Sequence, residues 1–248
     1  MNCEMKRIVI VGATSGMGME VAKLFLQNNY KVGIAGRRKE RLDVLKNEFP
    51  EDCFPEVIDV TQDSAVENLH KLIEQLGGMD VFFLSSGIGN QNMTLNPEIE
   101  IETANTNTLG FIRMTTAAFN YFSQNGGGHL AVISSIAGTK GLGAAPAYSA
   151  TKRMQCTYID ALEQQAKMRR LNIRFTDIRP GFVSTDLLKN EKYPLVMKPE
   201  KVAKSIFRAV VKKKRRIIID WRYKILVFFW RMIPNWLWKS LPIVSQAQ

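Results

Sequence analysis

The chain has 248 residues, enough for one α/β domain with a large core and too few for two ordinary ones. Hydrophobic residues at 46% and charged residues at 23% exclude a disordered, collagen-like or polytopic membrane chain. The formal net charge of +11 is local: residues 1–197 carry 21 basic and 21 acidic side chains, residues 198–248 carry 13 and 2, and all four tryptophans lie in that last fifth. A uniformly basic nucleic-acid binder is therefore set aside.

Cys3, Cys53 and Cys156 are far apart and form no CxxC pair, so neither a disulfide framework nor a metal site is expected and a reducing compartment fits. The opening MNCEMKRIVIVGA reaches a strand-like run with no long apolar region or cleavage site before it; no secretory signal is expected, and the location read from this is cytoplasmic.

Ile8 to Val11 is the first β-branched run, and Met17, Val21, Leu24 and Phe25 share a face of the helix after it. Val32 to Ala35 and a charged helix over Lys39 to Phe49 repeat the unit. Strands follow near Cys53–Ile58, Val81–Leu84, Leu130–Ile133, Ile173–Ile178 and Arg216–Ile219, with helices near Gln62–Leu76, Glu98–Gln124, Tyr148–Met168 and Lys198–Val211. Apolar runs without alternation suit strands covered on both faces. About seven of them separated by helices predict a doubly wound parallel sheet with helices on both sides, an α/β fold. Gly77-Gly78, Gly126 to Gly128 and Pro180-Gly181 supply the stops. The irregular stretch Phe182 to Met197 follows a strand's C-terminal end, where open α/β sheets bind ligands, and is long enough to cover a site.

The first strand runs into Gly12-Ala13-Thr14-Ser15-Gly16-Met17-Gly18, a glycine-rich turn that opens a helix. Glycines there let the backbone approach a pyrophosphate, whose charge meets the free N–H groups and positive dipole of the helix start. The competing reading is a packing turn, and its position at the first strand-to-helix junction favours a nucleotide. The second strand ends in Gly36-Arg37-Arg38 where an NAD site usually has an acidic residue, so two guanidinium groups stand where a 2′-phosphate would sit and NADP(H) is expected. Asp59-Val60 closes the third strand, placed either to face an adenine or, for Asp59, to cap the next helix.

Ser135 follows the fifth strand, and Tyr148 and Lys152 are four apart on a helix and so share a face. A neighbouring ammonium stabilises tyrosinate, as a general acid needs. With these residues in order, the chain resembles the short-chain dehydrogenase/reductase family over roughly residues 5–215. The match rests on Gly12, Gly16 and Gly18; Asp59-Val60; Asn107 and Gly110; Ser135; Tyr148 and Lys152; and Pro180-Gly181-x-Val183-x-Thr185.

The resemblance implies a Rossmann-like sheet and roles residue by residue. Tyr148 exchanges the proton at the substrate oxygen, Ser135 polarises that oxygen, Lys152 tunes Tyr148 and holds the nicotinamide ribose, and Asn107 holds a water that relays protons from Lys152. Pro180, Gly181, Val183 and Thr185 bind the nicotinamide side. The family's Asn-rich turn after the fourth strand is here Ser85-Ser86-Gly87, which still allows close approach to the ribose. Pairing of copies through the helices at Asn107–Gln124 and Tyr148–Met168 is implied by the resemblance only. His70 and His129 have no catalytic or metal context.

Residues 1–220 read as one dinucleotide-binding and catalytic domain, with 221–248 as a basic, Trp-rich appendage rather than a second domain. Lys212 to Arg216 is a cluster of five cations. The uncharged run Ile225–Trp230 is six residues, against the roughly 20 that span a bilayer. Ile225, Leu226, Phe229, Trp230 and Ile233 make an apolar face beside Lys224 and Arg231, and Pro234 should split the segment into two short helices. Such a segment suits an interfacial helix on an anionic membrane face, or it packs over the body or a second copy. The resulting expectation is an NADPH-dependent carbonyl reductase for a lipid-like 3-oxo substrate, peripheral on the cytoplasmic membrane face. The alternatives are a soluble small-molecule alcohol or sugar dehydrogenase and a non-catalytic NADP-binding regulator.

Overall fold

A computed structural model describes residues 6–185, 188, 193 and 195–242; Cys3 and part of the 182–197 stretch lie outside the described residues. Seven strands, β1 (Arg7–Val11), β2 (Lys31–Gly36), β3 (Cys53–Val57), β4 (Val81–Leu84), β5 (Gly128–Ile133), β6 (Ile173–Arg179) and β7 (Arg216–Ile218), form one sheet in the order β3-β2-β1-β4-β5-β6-β7. Every neighbouring pair is parallel. The order reverses between β1 and β4, and at such a switch the strand ends diverge and leave a crevice.

Alternate residues of the central strands feed two cores. Ile8 and Ile10 of β1 pack under α1 (Gly16–Leu26), α2 (Lys39–Glu48) and α7 (Pro199–Val211), which contribute Phe25, Leu45 and Ile206 among others. Val9 and Val11 face α3 (Ala65–Leu76), α5 (Phe111–Gln124) and α6 (Pro146–Met168), through Leu72, Phe122 and Ile159. Burial of both faces explains why the strands read as continuous apolar runs. Cys53 and Cys156 are buried free thiols; burial pushes the Cys53 thiol up to about 12 against the opposing effect of Lys46.

Two helix expectations change. The segment 98–124 is not one α-helix: α4 (Pro97–Ala104) and α5 flank a π-helical turn, Asn105–Gly110. The helix expected from Gln62 begins only at Ala65, because Asp59 folds the chain into a turn, accepting from the main chain and hydroxyl of Thr61 at 3.0 and 2.7 Å. An Asx turn of this kind competes with helix initiation.

The C-terminal segment forms α8 (Trp221–Met232) and α9 (Asn235–Ser240), broken at Pro234. Both dock on the body. Tyr223 and Val227 join the β1-side core. The indole of the buried Trp238 donates to the Gly141 carbonyl at 2.7 Å, and Lys140 donates to the Ile233 carbonyl and to Asn235, each at 2.8 Å. No helix among the described residues is long and apolar enough to cross a membrane.

Candidate active site

The nucleotide half is built at the β1–α1 junction. Gly12 has φ +96°, and a Cβ there would sit 2.6 Å from the Ser86 amide; a Cβ on Gly18 would sit 2.1 Å from the Gly12 carbonyl oxygen. Any side chain at either position would break the turn, so glycine is required by space as well as by torsion. The turn is pinned to β2 by the amides of Gly12 and Ala13, both donating to the Ala35 carbonyl. Ser15 precedes α1 in an extended conformation, leaving the first-turn amides of Gly16, Met17 and Gly18 directed out of the helix toward an anion.

Arg38 lies over this turn. Its guanidinium donates to the Thr14 hydroxyl at 3.0 and 3.3 Å and to the Ser15 hydroxyl at 2.6 Å. Arg41 reaches the Thr14 carbonyl at 3.5 Å. It was not singled out from the sequence, although its place three residues after Arg38 on α2 puts both on one face. Arg37 is exposed and acts on Asp59: burial works against that carboxylate, but the hydrogen bonds from Thr61 and the charge of Arg37 hold its pKa below the ordinary value. Val60 is buried, and a Cβ on Gly110 would sit 2.6 Å from its side chain. These groups form a bare backbone cradle rimmed by cations, which fits a phosphorylated dinucleotide.

The reactive half lies at the ends of β4, β5 and β6. Ser135 lies two residues past β5 in extended geometry, and its hydroxyl accepts from the Ala137 amide at 3.1 Å, which fixes the side chain. Tyr148 stands in the first turn of α6 after Pro146 and hydrogen-bonds with Ser135. Withdrawal from water raises the Tyr148 pKa, and the Ser135 bond opposes that rise. Lys152 is buried one turn on, its ammonium 5.8 Å from the centroid of the Tyr148 ring. It donates to the Ile133 carbonyl at 3.1 Å and to Gln155 Oε1 at 3.0 Å. Burial lowers Lys152 to about 8, against the opposing effects of Cys156 and Asp177.

Asn107 is fully buried in the π-helical turn. Its side chain clamps the strand-end loop, accepting from the Ile88 amide at 2.9 Å and donating to the Ile88 carbonyl at 2.7 Å. Its main-chain carbonyl accepts from Gln155 Nε2 at 2.8 Å. Gln155 is the second site residue the sequence reading passed over; its spacing of three from Lys152 was the available signal. The Ser85-Ser86-Gly87 turn keeps its place through two amides donating to the Val11 carbonyl. A Cβ on Gly87 would lie 3.2 Å from Asn107 Oδ1 and 3.5 Å from the Lys152 ammonium. No cluster of three metal-ligating side chains occurs among the described residues.

Pro180 and Gly181 close β6. The Pro180 carbonyl accepts from the Ile136 amide at 3.2 Å, and the Tyr223 ring fills the space where a Gly181 Cβ would stand, 2.3 Å away. Tyr223 accepts from the Phe182 amide at 3.2 Å and donates to the Leu195 carbonyl at 3.1 Å. It thereby holds both ends of the stretch that carries Val183 and Thr185. Thr185 meets the glycine turn, its methyl 3.0 Å from where a Gly16 Cβ would be.

Around these groups is a cleft of about 1820 Å³. Met17 and Phe182 line it from the body, and Leu226, Trp230 and Trp238 from the C-terminal helices, with Trp230 and Trp238 in edge-to-face contact at 5.6 Å. The appendage is thus a wall of the site.

The family profile described as "short chain dehydrogenase" matches residues 6–194. An uncharacterized oxidoreductase of Myxococcus xanthus is 27% identical over 235 residues, covering 92% of either chain. Dehydrogenase/reductase SDR family member 7B of Xenopus laevis is 28% identical over 94% of this chain and 80% of its own. Among solved structures, ElxO with NADP bound superposes with a TM-score of 0.78 at 23% identity, covering 89% of this chain and 99% of that one. The closed form of serine dehydrogenase complexed with NADP+ gives 0.74 at 23%, covering 85% and 92%.

Proposed function

Because this chain belongs to the short-chain dehydrogenase family, we propose that it is an NADPH-dependent reductase that converts the ketone of a long, apolar 3-oxo compound to an alcohol. One observation carries the reading: Ser135, Tyr148 and Lys152 open on a cleft of about 1820 Å³ whose outer wall is made of Leu226, Trp230 and Trp238. That space would hold the nicotinamide end of the cofactor together with the substrate, and its apolar outer wall suits a hydrocarbon chain.

NADP(H) is the cofactor that fits. The Gly12–Gly18 cradle would take the pyrophosphate and Arg38, with Arg37 beside it, the 2′-phosphate. Ser86 and Gly87 would serve the ribose side, and Pro180, Gly181, Val183 and Thr185 the nicotinamide side. Both solved neighbours reported above hold NADP. When bound, the dinucleotide supplies the hydride.

The protein's part is placement and proton delivery. The Ser135 hydroxyl donates to the ketone oxygen and polarises it. The Tyr148 phenol, kept protonated by its enclosed position, gives its proton to the same oxygen as the alcohol forms. The Lys152 ammonium then faces a phenolate and stabilises it. Asn107 acts on the loop at Ile88 and so shapes the floor of the cleft.

A peripheral place on a membrane is supported by the other side of α8. Trp221, Ile225, Phe228, Phe229 and Met232 are exposed along one stripe, and Trp236 of α9 is 73% exposed. With the exposed Lys212, Lys213 and Lys214, Arg215 and Arg216 being paired with Asp160, Glu163 and Asp177, this stripe suits an anionic membrane surface from which the substrate is drawn.

Steady-state NADPH oxidation over a panel of 3-oxo compounds tests the reading. Wild type turns over the long-chain members, and Tyr148→Phe, folded and still binding NADPH, loses at least about a hundredfold in kcat. Equal rates in the two proteins would remove Tyr148 as the acid, and no turnover of any ketone would remove the activity.

A further inference from the structure

Gln155 is fully buried on α6, three residues after Lys152, and touches none of the space open to substrate. Both ends of its amide are committed. Oε1 accepts from the Lys152 ammonium at 3.0 Å and Nε2 donates to the Asn107 main-chain carbonyl at 2.8 Å. The amide therefore links Lys152 to the π-helical turn. π-helical turns recur at functional sites because they displace backbone groups from the regular ladder. Here the displaced carbonyl meets a side chain.

An amide has fixed polarity: its oxygen only accepts and its nitrogen only donates. Lys152 can meet Gln155 Oε1 only as a donor. The other named partner of the ammonium, the Ile133 carbonyl, is likewise only an acceptor. Around Lys152 the ionisable neighbours are Cys156 and Asp177, both favouring its charged form, while burial opposes it. Tyr148 and Gly87 bound it on the cleft side.

We propose that Gln155 is a positioning residue that keeps the Lys152 amine charged and fixed beside Tyr148, accepting from it at one end of the amide while the other end is anchored on the π-helical turn. The inference rests on the roles given above to Tyr148 and Lys152. In each cycle the phenol O–H bond breaks, its proton goes to the substrate oxygen, and the phenolate regains a proton from solvent. Gln155 gains and loses no proton.

The test reads Lys152 directly, in the cofactor-free full-length chain, by the pH titration of its side-chain ¹³Cε signal in ¹³C-lysine-labelled protein, assigned with Lys152→Arg. Gln155→Leu removes the acceptor, and the Lys152 midpoint falls by about one pH unit. Gln155→Glu places a carboxylate there, and the midpoint rises above wild type. In turnover the high-pH limb of kcat follows the same two directions, while KM for the ketone stays within about twofold. An unchanged midpoint in both variants, each with wild-type melting temperature, overturns the proposal. Should Gln155→Leu fail to fold, Gln155→Glu decides alone, and a midpoint at or below wild type overturns it. The titration needs no substrate, so a chain that reduces no ketone yet shows both shifts refutes the reductase reading and leaves the Gln155 assignment standing.

Discussion

At the scale of single residues, the site works by setting the ionisation of two groups in opposite ways. Enclosure raises Tyr148 and keeps its phenol a proton donor, whereas it lowers Lys152 to about 8. For a cation whose folded pKa is lowered, the ammonium persists below that value and disappears above it. The kcat/KM for ketone reduction, which reports the free enzyme, is therefore expected to hold below about pH 8 and to fall as pH rises through it. A profile flat to pH 10 would contradict this role for Lys152. In the proposed function, Arg38, placed over Thr14 and Ser15, would carry the cofactor choice. Arg38→Ala is expected to weaken NADPH binding by about ten- to a hundredfold while leaving NADH binding nearly unchanged, as for the loss of a charge-assisted pair; competitive fluorescence titration of both dinucleotides checks it. Gly181→Ala forces a methyl into the Tyr223 ring, and an overpacked contact of this kind costs about 1–3 kcal/mol, read as a lower melting temperature.

At the scale of elements, His129 in β5 illustrates a buried group that serves the sheet. Its Nε2 meets the Thr176 hydroxyl of β6 at 2.7 Å, and burial, with Lys213 nearby, lowers its pKa to about 4. The unfolded chain takes up this proton near 6.5, so the imidazole's contribution is complete above that pH and is lost as pH falls toward 4. The shift corresponds to about 3 kcal/mol at most. His129→Asn is expected to flatten that part of the stability-versus-pH curve, measured by urea unfolding between pH 4 and 7. The strands themselves were legible from their apolar runs because both faces are covered, and Ser135, Tyr148 and Lys152 were legible from position and spacing. The π-helical turn was not. Asn105 to Gly110 has no residue that marks it, and what fixes its shape is tertiary: Ile88 on the Asn107 side chain and Gln155 on its carbonyl. Arg41 and Gln155 were missed for a related reason, since a polar residue three positions from a known one acquires meaning only when its partner on another element is known.

At the scale of the whole molecule, the four tryptophans belong to a segment with two faces, residues 221–248, which carries four basic side chains and no acidic one. Tyr223, Val227 and Trp238 point inward and complete the core and the cleft, while Trp221, Phe228 and Phe229 point outward. The two expectations for the tail, packing and surface association, are therefore compatible in one helix. Deleting residues after 220 would remove the buried Tyr223 and disturb the 182–197 stretch, so substitutions on the outer face isolate the membrane question. Phe228→Ser with Trp236→Ser is expected to abolish salt-sensitive flotation with anionic vesicles while preserving the melting temperature; flotation unchanged by the pair would assign that face to something other than lipid. The central claim is that the appendage walls the substrate chamber of a ketone reductase. It is tested most directly by kcat/KM for NADPH-dependent reduction of 3-oxo compounds of graded chain length, in wild type and Trp230→Ala. The account predicts a steep rise with chain length in wild type and a flattened one in the variant. A chain-length dependence that is flat in wild type, or untouched by Trp230→Ala, would contradict it.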